Sequence, residues 1–484
     1  MNEVKLLIGG ANVDAKSGAS FERKSPITGA VVTRAPSAGV DDARAAIEAA
    51  QKALPAWSAT SPNARRKLLQ EAAAKLRAHS ADFSRLCVEE TGAIGGWGHF
   101  NTAFAAGLIE EAAAMTTQIT GETVPTDHAG TLALAIRQPA GVCLGMAPWN
   151  APVILGARAI AMPLACGNTV VLKASELCPM THRLIVDSFV EAGFPAGVVN
   201  FITHAAADAP AVVEALIAHP AVRRVNFTGS SRVGRIVGEL SGRNLKPALL
   251  ELGGKAPFLV LEDADLEEAV AAAAFGAFMH QGQICMSTER IIVDEKVADE
   301  FVKRFIAKVQ TLKVGDPTTG NFPIGACVDS RTVDHVKALI ADATAKGGKV
   351  VTGGKGSGGA FFEPTVIDNV KSGMRIYGEE SFGPIVGVIR ARDTDHAVEL
   401  ANDSEYGLSA AVFSRDIARA LTTAQRIDSG ICHINSPTVQ DEGQVPFGGT
   451  KSSGYGRFGG KSGIAEFTEL RWVSIATKPR HYPI

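Results

Sequence analysis

A cysteine at position 285, in the segment QGQICMSTER, and an acid 34 residues upstream, Glu251 in LELGGK, supply a nucleophile and a base. A thiol attacks carbonyl carbon well only as thiolate, and a nearby carboxylate can activate the water that later releases an acyl group. Those two steps suit aldehyde oxidation. Taken alone, each residue also has a plainer reading, since buried cysteine is commonly an inert small hydrophobe and an isolated Glu a solvated surface group.

Other residues suit a dinucleotide. In FTGSSRVG, Gly229 and Gly234 lie five apart after a strand and before a helix. The spacing matches no standard phosphate fingerprint. Gly229 still permits a tight turn, and the amides of Ser230 and Ser231 at a helix N-terminus can face a pyrophosphate; a simple strand-to-helix turn fits equally well. Lys173 and Glu176 follow the strand TVVL, where a doubly wound sheet presents groups to ligand.

These groups need a scaffold, and the chain is long enough for two or three subdomains at 484 residues. With 20% charged and 46% apolar residues and a formal net charge of -2, it has the balance of an ordinary globular protein, with no basic patch to predict nucleic-acid or membrane-surface binding. The longest apolar stretch, Ala269 to Met279, is well short of the roughly 20 residues that span a bilayer. The amino end MNEVKLLIGG carries no signal-peptide core. Seven cysteines without CxxC spacing point to a reduced, cytoplasmic protein, and scattered histidines without HExxH give a metal no support.

Short apolar runs alternate with Ala-rich helical stretches, the pattern of parallel sheets crossed by helices. VCLGMAP, TVVLKAS, VVNFI, RRVNFTG and ALLELGG read as buried strands, with amphipathic segments near 153–165, 179–192, 209–218 and 231–241 between them. A second series runs from APFLVL through ERIIVDE, a helix from Ala298 to about Leu312, and VVTGG. The fold class is therefore α/β, with two doubly wound, Rossmann-like lobes. Residues 1–117 and 139–250 form the first, cofactor-binding lobe and 251–450 the second. The helices DARAAIEAAQKAL and NARRKLLQEAAAKLRAHS pack against the first lobe as scaffold. Two pieces, 118–138 and 466–484, fit neither lobe and alternate like exposed-edge strands, which invite pairing.

APWNAP (147–152), VVLKASE (170–176), FTGSSRVG (227–234), LELGGK, QGQICMSTER, EESFGP (379–384) and PFGGTKSSGYGR (446–457), in this order and spacing, resemble the aldehyde dehydrogenase superfamily over nearly the whole chain. The resemblance implies that Cys285 is the nucleophile, that Glu251 activates the deacylating water, and that the Asn150 side-chain amide with the Cys285 backbone N–H holds the oxyanion. It implies NAD as cofactor, with NADP open. Lys173 and Glu176 would take the adenine ribose, the Glu176 carboxylate repelling a 2′-phosphate and Lys173 moderating that repulsion. Gly229 and Ser230 would sit at the pyrophosphate, and Trp149, Glu380 and Phe382 would complete the cofactor site. An acid at 251 implies hydrolysis rather than transfer to coenzyme A. Edge strands of this kind form an intersubunit arm in the family, implying a homodimer or homotetramer.

QGQICMSTER, NSPTVQDEGQVPFGG and the ending RHYPI are most similar to the vanillin and salicylaldehyde dehydrogenases, so an aromatic aldehyde is the expected substrate. Ala151, Leu155 and Arg158, where relatives carry bulky aromatics, should leave a wider space for a planar ring; Ile284, Met286 and Phe447 complete the expected pocket. Arg158 meets a ring substituent or is a salt-bridged helix residue. An aliphatic or semialdehyde dehydrogenase of the same superfamily, and a non-catalytic cofactor-binding protein, remain the alternatives.

Overall fold

Runs such as TVVLK and TERIIVD have almost no polar face, a composition that suits strands covered on both sides. The computed structural model describes residues 1–484 and assembles these runs into two mainly parallel sheets. The first has eight strands in the order 454–455, 248–251, 222–228, 142–146, 169–173, 199–202, 6–8 and 11–13. Those from 248–251 across to 199–202 are parallel to one another; the outer strands on both sides run antiparallel.

The chain order reverses at Val142–Met146. Successive strands add on one side of it as far as Val199–Ile202, then Val222–Thr228 adds on the other. Ligands in such sheets sit beyond the carboxyl ends of the strands at the reversal. Met146 is paired with Phe227 there, so the segments that follow, Ala147–Asn150 and Gly229–Ser231, leave the sheet side by side.

The second sheet has seven strands in the order 349–352, 365–368, 385–391, 288–294, 256–260, 409–413 and 431–434. All pair in parallel except Lys349–Thr352, the VVTGG run, which is an antiparallel edge on Thr365–Asp368. Only Leu252–Lys255 separate the last parallel strand of the first sheet from Ala256–Val260 of the second. Glu251 therefore stands where one sheet hands over to the other.

Helices Val40–Ser58 and Pro62–Ala78 pack on the first lobe, the former against strands 169–173 and 199–202, the latter against helices Gly95–Met115 and Pro179–Glu191. The segment near 153–165, expected to be amphipathic, is the helix Pro152–Ala165 with every residue buried. It is covered by strands on one side and by helices Gly95–Met115 and Pro179–Glu191 on another, so no face is left for water. The two extra strand pieces are not both edges. Thr131–Pro139 is the middle strand of a separate three-stranded sheet, paired antiparallel with Thr468–Ala476 from Thr131↔Ala476 to Pro139↔Thr468, and with Glu122–Val124 on its other side. Thr468–Ala476 keeps a free edge and exposes Leu470, Trp472 and Ile475. No helix is long and apolar enough to cross a membrane.

Candidate active site

Three loops meet at Cys285. Asn150 follows the strand Val142–Met146, just before Pro152 opens a helix, a position proline suits because its missing N–H has no partner in a first turn. The Asn150 side-chain amide donates to the Gln283 carbonyl at 3.0 Å, two residues before the thiol. Glu251 ends the strand Ala248–Glu251, and the glycines after it bring the chain close to its neighbours. A Cβ on Gly254 would overlap the Cys285 carbonyl, and one on Gly253 would lie 2.6 Å from the Glu380 carboxylate.

A buried ion pair ties the motifs together. Lys255 donates to Glu289 at 2.5 Å and to the Ser381 hydroxyl at 3.1 Å, while the Glu289 carboxylate accepts the backbone N–H groups of Ser381 and Phe382 at 2.9–3.1 Å. LELGGK, QGQICMSTER and EESFGP are thereby locked to one another. The lock also holds Phe382 at φ +45°, a conformation a non-glycine residue rarely adopts unaided.

Two cavities open on the thiol from different directions, and Asn150, Thr228 and Cys285 line both. One spans about 720 Å³, solvent at its mouth included, and is mainly apolar: Trp97, Phe100, Phe104, Phe275 and Phe447 give it rings, and Glu251, Arg158 and Asp441 are its charged groups. The other, also about 720 Å³, is bounded by Pro148–Asn150, Thr228–Ser230, Leu252, Gly253, Glu380 and Phe382. A reacting carbon placed at their junction would meet sulfur, the Asn150 amide and the Cys285 backbone N–H, which donates to no group of the chain.

The charges at this junction are arranged for controlled ionisation. Glu251 is 2% exposed and neither carboxylate oxygen has a hydrogen-bond partner. Burial pushes its pKa well above the carboxylate range, with Arg158 and Arg457 opposing that shift. The Cys285 thiol is pushed up to about 12 by burial and by the negative charges of Glu251 and Glu380. In the free protein it is therefore a neutral thiol at pH 7. Arg158 is ion-paired to Asp441 and lies over the Phe447 ring at 4.5 Å, so its charge is largely spent before a ligand arrives.

The second cavity fits a pyridine dinucleotide. It lies at the chain reversal of the first sheet, and Ser230 caps the helix Ser231–Arg243, whose free first-turn amides suit a pyrophosphate. Burial and the Glu289 charge raise Glu380 to about 8, and it accepts the Gly254 N–H at 2.8 Å. Trp149 stands edge-on to Phe382, 5.7 Å between centroids. Lys173 and Glu176 are at the carboxyl end of the neighbouring strand, Lys173 beside Met146, outside the lining of this cavity. Burial pushes the Lys173 pKa down while Glu176 opposes it.

Of the expected pocket residues, Ala151, Leu155, Arg158, Ile284, Met286 and Phe447 all line the apolar cavity. Of its two expected placements, Arg158 takes that of a salt-bridged helix residue, paired with Asp441, while its side chain also lines the pocket. Further rings line the same space, Trp97, Phe100 and Phe104 of Gly95–Met115 and Phe275 of Leu266–Phe278. Sequence reasoning missed these rings, together with Thr228, Met279 and Asp441. The spacing of Trp97, Phe100 and Phe104, three and four residues apart, was the available signal of one aromatic helix face.

A model of the aldehyde dehydrogenase family matches residues 13–473. A vanillin dehydrogenase of Pseudomonas fluorescens is 60% identical over 484 residues, covering 100% of both chains. A salicylaldehyde dehydrogenase of Pseudomonas sp. (strain C18) is 49% identical, covering 99% of this chain and 100% of that one. Among solved structures, a salicylaldehyde dehydrogenase from Pseudomonas putida G7 complexed with salicylaldehyde superposes with a TM-score of 0.98 at 48% identity, covering 100% of each chain.

Proposed function

This chain belongs to the aldehyde dehydrogenase family, and from that premise we propose that it oxidises an aromatic aldehyde of the size of vanillin, salicylaldehyde or benzaldehyde to the carboxylic acid, using NAD in preference to NADP. One observation carries the reading: five aromatic rings, Trp97, Phe100, Phe104, Phe275 and Phe447, surround a pocket that ends on a single cysteine. Relatives named for vanillin and salicylaldehyde support it.

The Cys285 thiol gives its proton to solvent as its sulfur adds to the aldehyde carbon, and the oxygen that becomes negative is held by the Asn150 amide and the Cys285 backbone N–H. Glu380 and Phe382 would hold the nicotinamide end of a bound dinucleotide and Gly229–Ser230 its pyrophosphate, and that cofactor would supply the hydride acceptor. Loss of hydride from the thiohemiacetal leaves a thioester on sulfur. Glu251 then takes a proton from water, the hydroxide adds to the thioester, and the C–S bond breaks to release the acid and restore the thiol. The family uses NAD or NADP, and the Glu176 carboxylate at the strand end is the feature that disfavours a 2′-phosphate.

A semialdehyde substrate would need a free cation for its distal carboxylate. Arg158, the one cation lining the pocket, is already paired with Asp441. The exposed apolar side chains of Thr468–Ala476 support association of copies into a dimer or tetramer, and seven unpaired cysteines support a reducing, cytoplasmic setting. The test is NADH or NADPH formation with vanillin, salicylaldehyde, benzaldehyde, hexanal and succinate semialdehyde, each with both cofactors. Aromatic aldehydes with NAD should give the highest kcat/KM, and a clear preference for hexanal or succinate semialdehyde overturns the reading.

A further inference from the structure

Asn150 is gripped at both ends. Its side-chain amide donates to Gln283, and its own backbone carbonyl accepts the indole N–H of Trp97 at 3.0 Å, across 53 residues of chain. Trp97 is itself pinned. The His280 ring lies almost parallel to the indole, 4.7 Å between centroids and 11° between planes, and Phe100 from the same helix stacks on it at 5.5 Å.

His280 is an unusual residue to find there. It is 2% exposed, both ring nitrogens lack a hydrogen-bond partner, and its backbone takes φ 50°, ψ 42°. Unpaired buried polar atoms and left-handed backbone both cost free energy, so something local must compensate. Burial drives the imidazole pKa down to about 3, which keeps it a neutral ring at working pH. The turn that carries it, Met279–Gly282, runs straight into Gln283, the acceptor of the Asn150 amide, and then into Cys285. The two groups that hold Asn150, one on a helix of the first lobe and one on the nucleophile loop, are therefore clamped to each other by the stacked rings.

We propose that the Trp97–His280 stack is a positioning device for the oxyanion donor, setting the Asn150 amide relative to the Cys285 sulfur and acting on turnover through Asn150. The inference rests on the assignment of Asn150 as that donor. An oxyanion donor works only within a narrow distance range; deleting one costs on the order of 100-fold or more, and a shift of about 1 Å can cost as much. Trp97 also lines the substrate pocket, so a role in positioning must be separated from a role as a wall.

A double-mutant cycle on the full-length enzyme makes that separation, read as the burst rate of NADH formation with benzaldehyde and with acetaldehyde, which is too small to fill the pocket. Trp97→Phe keeps a ring and removes the N–H. It should slow the burst about tenfold or more with both aldehydes while the Kd for NAD changes less than about twofold. In an Asn150→Ala background the same substitution should cost less than about twofold. His280→Phe should retain most of the rate that His280→Ala loses, because the stack and not the imidazole nitrogens is the working part; if Trp97→Phe fails to bind NAD, His280→Ala with Asn150→Ala closes the same cycle. An undiminished cost in the Asn150→Ala background, or a defect confined to benzaldehyde, overturns the proposal. A wild-type rate in Asn150→Ala alone overturns the donor assignment and, with it, the stack's role.

Discussion

Glu251→Gln separates the two half-reactions and tests the electrostatics of the site in one variant. The carboxyl is 2% exposed with neither oxygen hydrogen-bonded, and glutamine has nearly its shape, so the substitution removes a titratable group without opening a cavity. Loss of a general base costs about 10²- to 10⁴-fold, and here the cost should fall on deacylation alone. In rapid mixing with NAD and an aromatic aldehyde, the variant should release about one NADH per active site at near wild-type rate and then almost stop. Its stability should shift with pH in a definite direction. A carboxyl whose folded pKa is raised, here by burial, keeps a proton that the unfolded chain has already lost. Its stabilising contribution is complete below the ordinary carboxylate range and is lost as pH rises toward the folded pKa, at about 1.4 kcal/mol per pH unit. Glutamine does not titrate, so thermal denaturation should show the variant gaining on wild type as pH rises above the ordinary carboxylate range. A missing burst, an unchanged steady state, or a stability difference that is flat with pH would each refute this account of Glu251.

Further outcomes follow from the same geometry. With its thiol pushed up to about 12, Cys285 of the free enzyme should react with iodoacetamide at a rate rising about tenfold per pH unit from 7 to 10 without a plateau, and a plateau near pH 7 refutes the effect of burial and neighbouring carboxylates assigned to it. Glu380, raised to about 8, should bind the nicotinamide ribose better once ionised; the Kd for NAD, followed by quenching of tryptophan fluorescence, should fall as pH rises from 7 to 9 in wild type and stay level in Glu380→Gln. Lys255→Met strands Glu289 without its cation in a site where the pair is almost fully buried, and chemical denaturation should register a loss of about 3–5 kcal/mol; a change under about 1 kcal/mol shows that the pair is not a structural lock.

The strands were largely legible from the chain because buried parallel strands are written as unbroken apolar runs, and TVVLK, VNFI and APFLV needed no partner to be recognised. The helix Pro152–Ala165 misled for a related reason: its alternation of small and large apolar residues reads as amphipathic until neighbours cover every face. The edge strands misled because alternation reports an exposed face, not which strand lies alongside; Thr131–Pro139 finds Thr468–Ala476 more than 300 residues away, as Arg137 Nη1 to Thr468 Oγ1 at 2.9 Å illustrates.

For the site, residue types and their order along the chain gave the family and pointed to Cys285, Glu251 and Asn150 as candidate nucleophile, base and amide donor, because those chemistries sit in short segments whose meaning is local. The pocket wall was a different matter. An aromatic face on Gly95–Met115 is visible in sequence, but the same stripe would serve equally to fill a core. Whether Trp97 reaches Asn150, whether Arg158 arrives free or already paired with Asp441 across 283 residues, and whether His280 lies on an indole are contacts between distant segments. Only the packing of the two lobes against the helices brings such partners within a few ångströms, and side-chain interactions of that range leave no trace in the spacing of the residues that make them.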